Sequence, residues 1–328
     1  MSSRGIQNVG IFYGGYGPEF KISESSARFV KKALSPIGWK LFLVEVSSSG
    51  YRAFDADDNV LGFDSSDFSI IQNSQKQIID VAFNSIHGPP GEDGQLAKLF
   101  DHHQIAHTSS NSQSAELTFD KRKCLDALQE IGVKRAKYDY LDFGESISIE
   151  QISQNVGFPC FVKASRSGSS FGVYRVENQT ELPSAINKAF KYDHKLLIEQ
   201  ALVGIEVSVG VFQWKDQIKV LPTTELVPHS VFFDYKAKYE GQSDEITPAR
   251  ISQELTMEIQ SIAKKIYRFL NLRGATRSEF IICDQEIHLL EVNTVPGFTQ
   301  VSILPQQVRA AGIGLTDFFA TFVEQSIQ

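Results

Sequence analysis

Phe161-Val-Lys-Ala-Ser-Arg-Ser-Gly-Ser-Ser-Phe-Gly172 is the stretch on which the architecture turns. A β-prone run, Pro159-Cys-Phe-Val-Lys-Ala164, stops at a loop of serine, arginine and glycine, and β character resumes in Phe171-Gly-Val-Tyr-Arg-Val176. The loop supplies small residues, hydroxyls and pliant backbone between two strands, which suits a flap whose N–H groups fold over phosphates. Lys163 just before it offers a point charge for the same anion. An ordinary Ser/Gly hairpin has the same composition, so the segment alone leaves both readings open.

Strands joined by short connections continue downstream in Lys195–Ala201, Val207–Trp214 and Ile218–Glu225, an antiparallel pattern. A helix is predicted over Gln253–Leu270, with Leu255, Ile259, Ile262, Ile266 and Phe269 on one stripe. Two strands follow, Glu279–Cys283 and Ile287–Asn293, and a last helix over Thr316–Ser326. Upstream the pattern differs. Strand-like Val9–Tyr13, Leu41–Val46 and Val81–Ile86 alternate with helical material such as Ser23–Leu34, stopped by Pro36 and Gly38, which predicts a mostly parallel sheet. A further helix starts at about Asp120, with Cys124, Leu128 and Ile131 spaced for burial. The chain therefore divides into an α/β domain over 1–109, a central part over 110–200 and a C-terminal part over 201–328.

The 328 residues are 42% hydrophobic and 22% charged, the balance of a cored globular protein rather than a disordered one. The net charge, 32 − 39 = −7, gives no general attraction to nucleic acid or anionic lipid, so a phosphate site has to be local. Cys124, Cys160 and Cys283 are odd in number and far apart, which argues against a disulfide framework or zinc site and fits a reducing cytoplasm. No signal-peptide pattern or long apolar run is present, so neither export nor membrane insertion is expected.

Three other constellations carry chemistry. Glu279 with Glu291 and Asn293 is a set of hard oxygen donors of the kind Mg²⁺ needs when it bridges to phosphates. Glu291 and Asn293 share a strand face, and Glu279 joins it only if the hairpin loop is odd, as with Asp284-Gln285-Glu286. A two-residue turn would place Glu279 on the opposite face. The glycine turn Gly14-Gly-Tyr-Gly-Pro-Glu-Phe-Lys-Ile-Ser23 brings Glu19 to the end of the first strand, where open α/β sheets bind ligands. His87-Gly-Pro-Pro-Gly-Glu-Asp-Gly94 brings a histidine to a similar strand end, where a lone histidine is more often structural. Neither a Walker motif nor Gly-x-Gly-x-x-Gly occurs.

Taken together and in order, these segments resemble the D-alanine–D-alanine ligase family of the ATP-grasp superfamily, from Gly14 to at least Pro305. The other matching pieces are Phe119-Asp-Lys121, Ile198-Glu-Gln-Ala-Leu202, Phe232–Tyr239, Thr276-Arg-Ser-Glu-Phe280 and Leu289–Pro305. The resemblance implies an α/β (α+β) ATP-grasp fold: a Rossmann-like parallel-sheet domain and two α+β subdomains with the nucleotide between them. It implies that ATP phosphorylates one D-alanine and the amine of a second attacks the acyl phosphate. Lys121, Lys163, Ser169, Ser170 and Lys238 then resemble phosphate contacts, Glu199, Gln200 and Leu202 the adenine hinge, and Glu206 the ribose contact. Glu279, Glu291 and Asn293 resemble the ligands of two Mg²⁺ ions, with Mn²⁺ as a substitute. Glu19 looks like the anchor of the first D-alanine, linked through Ser169 to Tyr239 in a lid over Phe232–Tyr239. Arg277 and the Gly297 N–H look like the oxyanion site, Ser302 and Ile303 like contacts to the second D-alanine, and His87 like a substrate-site histidine. A bacterial cytoplasmic homodimer with a role in peptidoglycan precursor synthesis, without nucleic-acid or membrane partners, follows from the same resemblance. Glu279 stands where the family usually has aspartate, and Ile303 where leucine is common. The rival readings are a ligase taking D-lactate or D-serine as second substrate, and an ATP-binding paralogue without activity.

Overall fold

A computed structural model of the chain describes residues 5–146, 148–228 and 243–327. The first strand, Asn8–Gly14, is buried from Val9 onward because it lies between Lys40–Ser47 and Val81–Asn84, both parallel to it. Helix Phe20–Leu34 covers this region with Ala27, Val30 and Leu34, and Gly38, in the left-handed conformation, ends the turn that follows.

The sheet has eight strands, of which only the half containing these three and Ala106–His107 is parallel. Gly50–Phe54, Val60–Asp64, Ser69–Gln72 and Gln75–Ile78 extend it as an antiparallel meander, a correction to the mostly parallel sheet expected from the sequence. The reason lies in the connection. Ser47 pairs with Gly50, so only two residues join the strands, far fewer than the dozen or so a parallel crossover needs.

The central sheet is antiparallel, in the order Val173–Val176, Cys160–Ala164, Lys195–Gln200, Tyr138–Asp142. The third sheet runs Ser243–Ile246, Thr224–Pro228, Ile205–Trp214, Ala275–Cys283, Glu286–Asn293, with Gln217–Val220 also pairing Ile205–Trp214. The single strand expected over 218–225 is thus two, interrupted around Pro222, which has no N–H to give a ladder. Helix Gln253–Phe269, capped where the Ser252 side chain accepts the Leu255 N–H, buries Ile259, Ala263 and Ile266 beside this sheet.

One hydrophobic core crosses the chain from end to end. Val9, Ile11 and Phe83 of the first sheet share it with Phe318, Phe319 and Phe322 of helix Leu315–Gln325, and with Val295 and Phe298 from the loop after the third sheet. Each buried phenylalanine contributes roughly 1.5–3 kcal/mol, so the C-terminal helix and that loop are firmly seated against the N-terminal domain. Among the described residues no helix is long and apolar enough to cross a membrane.

Candidate active site

A cleft of about 430 Å³ lies between the central and third sheets. The loop from Ser165 to Gly172 forms part of its wall and is fixed at its base. Ser165 donates its hydroxyl to Asp120 Oδ1 at 2.6 Å, accepts the Arg122 N–H at 3.2 Å and takes the Lys121 N–H on its carbonyl at 3.0 Å. Asp193 holds the Arg166 N–H at 2.9 Å and the Arg166 guanidinium at 2.5 Å. At the tip, Ser169 and Ser170 have φ of 47° and 61°, a conformation that costs a non-glycine residue roughly 1–2 kcal/mol. Strain of this kind persists where its surroundings impose it. Here it separates two serines: Ser170 lines the cleft, and Ser169 faces a neighbouring cavity, where its hydroxyl donates to Glu19.

Lys121 and Lys163 both line the cleft. Lys121 Nζ donates to the Ser167 carbonyl at 2.7 Å and lies 3.3 Å from Glu291, while Lys163 pairs with the buried Glu199. Along the hinge, Gln200 gives its N–H to Lys137 O and Ala201 gives its own to Pro159 O. Leu202 is next, and it lines the cleft together with Glu206.

The turn at Asp284 and Gln285 corrects the hairpin expected from the sequence. It has two residues, both at positive φ, and Cys283 pairs with Glu286. Regular pairing from there would set Glu279 opposite Leu290, away from Glu291. A β-bulge intervenes: Phe280 pairs with Leu289 and Glu279 with Glu291, so Leu290 is the extra residue. The bulge restores the parity that the turn removes. Glu279, Glu291, Arg277 and Asn293 consequently share one face, and Leu290 lines the cleft. Arg277 Nη2 donates to Glu279 Oε1 at 2.6 Å, and Asn293 Nδ2 lies 3.5 Å from the same oxygen. Among the described residues no group of three or more His, Cys, Asp or Glu side chains forms a metal cage. Two carboxylates with one amide are an incomplete oxygen set, of the kind that Mg²⁺ completes with substrate phosphates and water.

The neighbouring cavity measures about 740 Å³ and draws its wall from all three parts of the chain. Glu19 and His87 come from the N-terminal domain, Gly168 and Ser169 from the loop, and Arg277, Asn293, Gly297, Ser302 and Ile303 from the C-terminal part. Glu291 lines both this cavity and the cleft, so the two spaces share a wall. Two glycines are dictated by close approach: a Cβ on Gly168 would lie 2.9 Å from Glu19 Oε2, and one on Gly297 would lie 2.7 Å from Ser302 Oγ. Helix Ile303–Ala310 begins at the cavity, directing its first N–H groups and positive dipole end there. Gln307, fully buried, pins that helix to the sheet by donating to Ser208 O and Thr224 Oγ1 and accepting the Gly210 N–H.

Burial and the nearby charge of Glu19 push the Glu92 carboxyl up to about 8, so it is largely neutral at pH 7. Burial pushes the His87 imidazole down, so it too is neutral. The same cause raises the Glu245 carboxyl, which accepts from Gln306 at 2.5 Å on the cavity's far side.

Of the residues singled out from the sequence, the structure groups Lys121, Lys163, Ser170, Glu199, Gln200, Leu202 and Glu206 around the cleft. It groups Glu19, His87, Ser169, Arg277, Asn293, Gly297, Ser302 and Ile303 around the cavity, with Glu279 on the cleft side and Glu291 lining both. Lys238, Tyr239 and the lid expected over Phe232–Tyr239 lie outside the described residues. Glu92, in the same Gly/Pro turn as His87, also lines the cavity, a residue that the sequence reading does not single out. Its signal was a carboxylate at a buried strand end.

A family model described as the D-ala D-ala ligase N-terminus matches residues 8–110, and one described as the D-ala D-ala ligase C-terminus matches residues 127–324. The chain is 45% identical to a D-alanine--D-alanine ligase of Flavobacterium johnsoniae, covering 98% of this chain and 100% of that one. It is 41% identical to a D-alanine--D-alanine ligase of Christiangramia forsetii, covering 98% of each. Among solved structures, the VanG D-Ala:D-Ser ligase of Enterococcus faecalis superposes with a TM-score of 0.85 at 26% identity, over 98% of this chain and 100% of that one. D-alanyl-alanine synthetase A of Vibrio cholerae shares the fold, with a TM-score of 0.88 at 24% identity over 98% of each chain. By its full-length likeness to these relatives and its match to both family models, the chain belongs to the D-alanine–D-alanine ligase family, with that family's ATP-grasp fold.

Proposed function

We propose that this chain joins two D-alanines at the expense of ATP, giving D-alanyl-D-alanine, ADP and phosphate for peptidoglycan precursor synthesis. The observation that carries this reading is the shared wall. A nucleotide cleft and a separate polar cavity meet at Glu291, with the loop tip dividing Ser170 from Ser169. At that junction a γ-phosphate would, in this reading, meet a carboxylate held in the cavity.

In this reading a carboxylate oxygen of the first D-alanine attacks the γ-phosphorus and ADP leaves. The amine nitrogen of the second D-alanine, as the free amine, then attacks the acyl-phosphate carbonyl; the C–N bond forms, phosphate departs with the C–O electron pair, and the proton lost by the nitrogen leaves with phosphate or solvent. Lys121 and Lys163 neutralise the phosphates and Ser170 helps to position them, which is most of what phosphoryl transfer asks of a protein, while Ser169 on the cavity side holds Glu19. Glu199, Gln200 and Leu202 receive adenine, and Glu206 the ribose. Glu19 anchors the first ammonium. Arg277 and the Gly297 N–H receive the developing oxyanion, a contribution of about 3–4 kcal/mol per donor. Ser302, Ile303 and the helix N-terminus receive the second carboxylate, with His87 beside them. Glu279, Glu291 and Asn293 would hold two Mg²⁺, or Mn²⁺, which supply countercharge to the phosphates. Tyr239 and Lys238 enter from the family resemblance alone, as do a homodimeric state and a cytoplasmic location.

Phosphate release with ATP, Mg²⁺ and D-alanine, followed by mass spectrometry of the product, tests the reading. D-alanyl-D-alanine as main product supports it. A mixed product with D-serine or D-lactate moves second-substrate choice to Ile303 and the segment around Tyr239, and nucleotide binding without turnover replaces the reading with a non-catalytic one.

A further inference from the structure

The loop Val295-Pro-Gly-Phe298 carries the Gly297 N–H, yet much of what holds it belongs to the other end of the chain. Its apolar side chains enter the N-terminal core: Val295 and Phe298 are each 4% exposed, and Phe298 packs edge-on to Phe83 at 5.7 Å and Phe319 at 5.6 Å. Its polar backbone is taken up as well. His87 Nδ1 lies 2.9 Å from the Val295 carbonyl, Ser26 Oγ lies 3.4 Å from His87 Nε2, and Phe298 donates its N–H to Ser26 Oγ at 3.2 Å.

The chemistry of these partners fixes every proton. A carbonyl only accepts, so Nδ1 carries the hydrogen. The ring is neutral, because burial disfavours the imidazolium, so Nε2 is an acceptor and receives the Ser26 hydroxyl proton. The Ser26 oxygen keeps a lone pair for Phe298. The result is a closed circuit, Phe298 N–H to Ser26 O–H to His87 to Val295 O, which grips the two residues flanking Pro296-Gly297.

We propose that Ser26 and His87 act as one positioning brace, setting the direction of the Gly297 N–H and so the geometry of the oxyanion site. The role rests on the ligase reading above, in which Gly297 is that donor. Ser26 is fully buried, whereas His87 borders the cavity, so Ser26 reaches the substrate only through the histidine and the loop. A direct substrate contact by His87 alone would give Ser26 no part in turnover.

The test is a double-mutant cycle with the full-length enzyme, using Ser26→Ala, His87→Gln and the pair. Misplacing a reacting group by about 1 Å can cost about a hundredfold in rate, and loss of half the brace is expected to lower kcat by about tenfold, with KM for ATP within about twofold of wild type. Because both changes open the same circuit, the double variant should be no worse than about threefold below the poorer single one. His87→Asn, whose amide nitrogen can still donate to the Val295 carbonyl, should recover part of the loss. Multiplying effects, or wild-type kcat in Ser26→Ala, would overturn the brace. A ¹⁵N side-chain spectrum of the unliganded wild type, assigned by the signal missing in His87→Asn, decides independently of catalysis. It should show one neutral tautomer protonated at Nδ1, and protonation at Nε2 would overturn the proposal. A wild type that ligates nothing would instead overturn the functional reading, leaving the spectrum to judge the brace.

Discussion

The loops Ser165–Gly172 and Val295–Phe298, to which the proposed function gives the phosphates and the oxyanion, are both short, glycine-containing connections after a strand, yet they are held differently. The base of Ser165–Gly172 is fixed from nearby, by Asp120, Asp193 and the backbone of Lys195 in the central part of the chain, and only its tip reaches Glu19 through Ser169. Val295–Phe298 is fixed from afar, by Ser26, His87 and Glu92, some two hundred or more residues upstream. The base of the first is set locally, within the central part of the chain. The second takes its hydrogen bonds from the N-terminal domain, which in the proposed function would tie acyl transfer to the assembled molecule.

The contrast is sharpened first by Arg277→Ala, expected to lower kcat at least about a hundredfold, as loss of an oxyanion donor should. Near-normal turnover in a folded variant would remove Arg277 from that role. Gly297→Ala should come next: its Cβ would fall 2.7 Å from Ser302 Oγ, and a shift of the loop should cost about ten- to a hundredfold in kcat, with little change in KM for ATP. Asp120→Ala, on the local side, should behave inversely. It loses both the Ser165 hydrogen bond and the helix cap on the Lys123 N–H, about 1–3 kcal/mol of stability, and should raise KM for ATP severalfold while leaving KM for D-alanine near its starting value. Equal changes in both KM values would break the proposed separation.

Glu92 gives a pH signature of the distant brace. Its carboxyl is raised from an ordinary 4.5 to about 8, so the fold favours the neutral form. That contribution is complete below about pH 4.5 and is lost as pH rises toward 8. Glu92→Gln stays neutral throughout, so its Tm relative to wild type should improve steadily between pH 5 and 8. A pH-independent difference would contradict the assignment. The smallest effect is expected at the hairpin, where Gln285→Gly relieves a positive φ of 67° and should add up to about 1 kcal/mol of stability without altering kcat.

Much of this molecule is legible in its residues, but unevenly. Phe269, expected on the stripe with Leu255, Ile259, Ile262 and Ile266, is 43% exposed at the last turn of its helix, whereas the rest of that stripe and the apolar run Val9–Tyr13 announce themselves. The antiparallel extension over 50–78 does not, since its strands carry polar residues such as Gln75 and Lys76 on an exposed edge and are set by the two-residue connection after Ser47. The hairpin Ala275–Asn293 is the most instructive case. Alternation rightly puts Glu291 and Asn293 together, but the expected three-residue loop Asp284-Gln285-Glu286 is a two-residue turn, and the bulge at Leu290 has no local signature. Two departures from regular pairing offset each other. Glu92 and Ser26 were illegible for another reason: their partners in the Val295 loop are more than two hundred positions away, and no periodicity reports a hydrogen bond over that span.

The most direct measurement of the central claim follows oxygen. With D-alanine labelled by ¹⁸O in both carboxylate positions, attack on the γ-phosphorus followed by amide formation carries one labelled oxygen into each phosphate released. Mass spectrometry of that phosphate should find one ¹⁸O per molecule, in step with D-alanyl-D-alanine. Unlabelled phosphate would mean that water is the acceptor, and the cleft and the cavity would not serve one reaction.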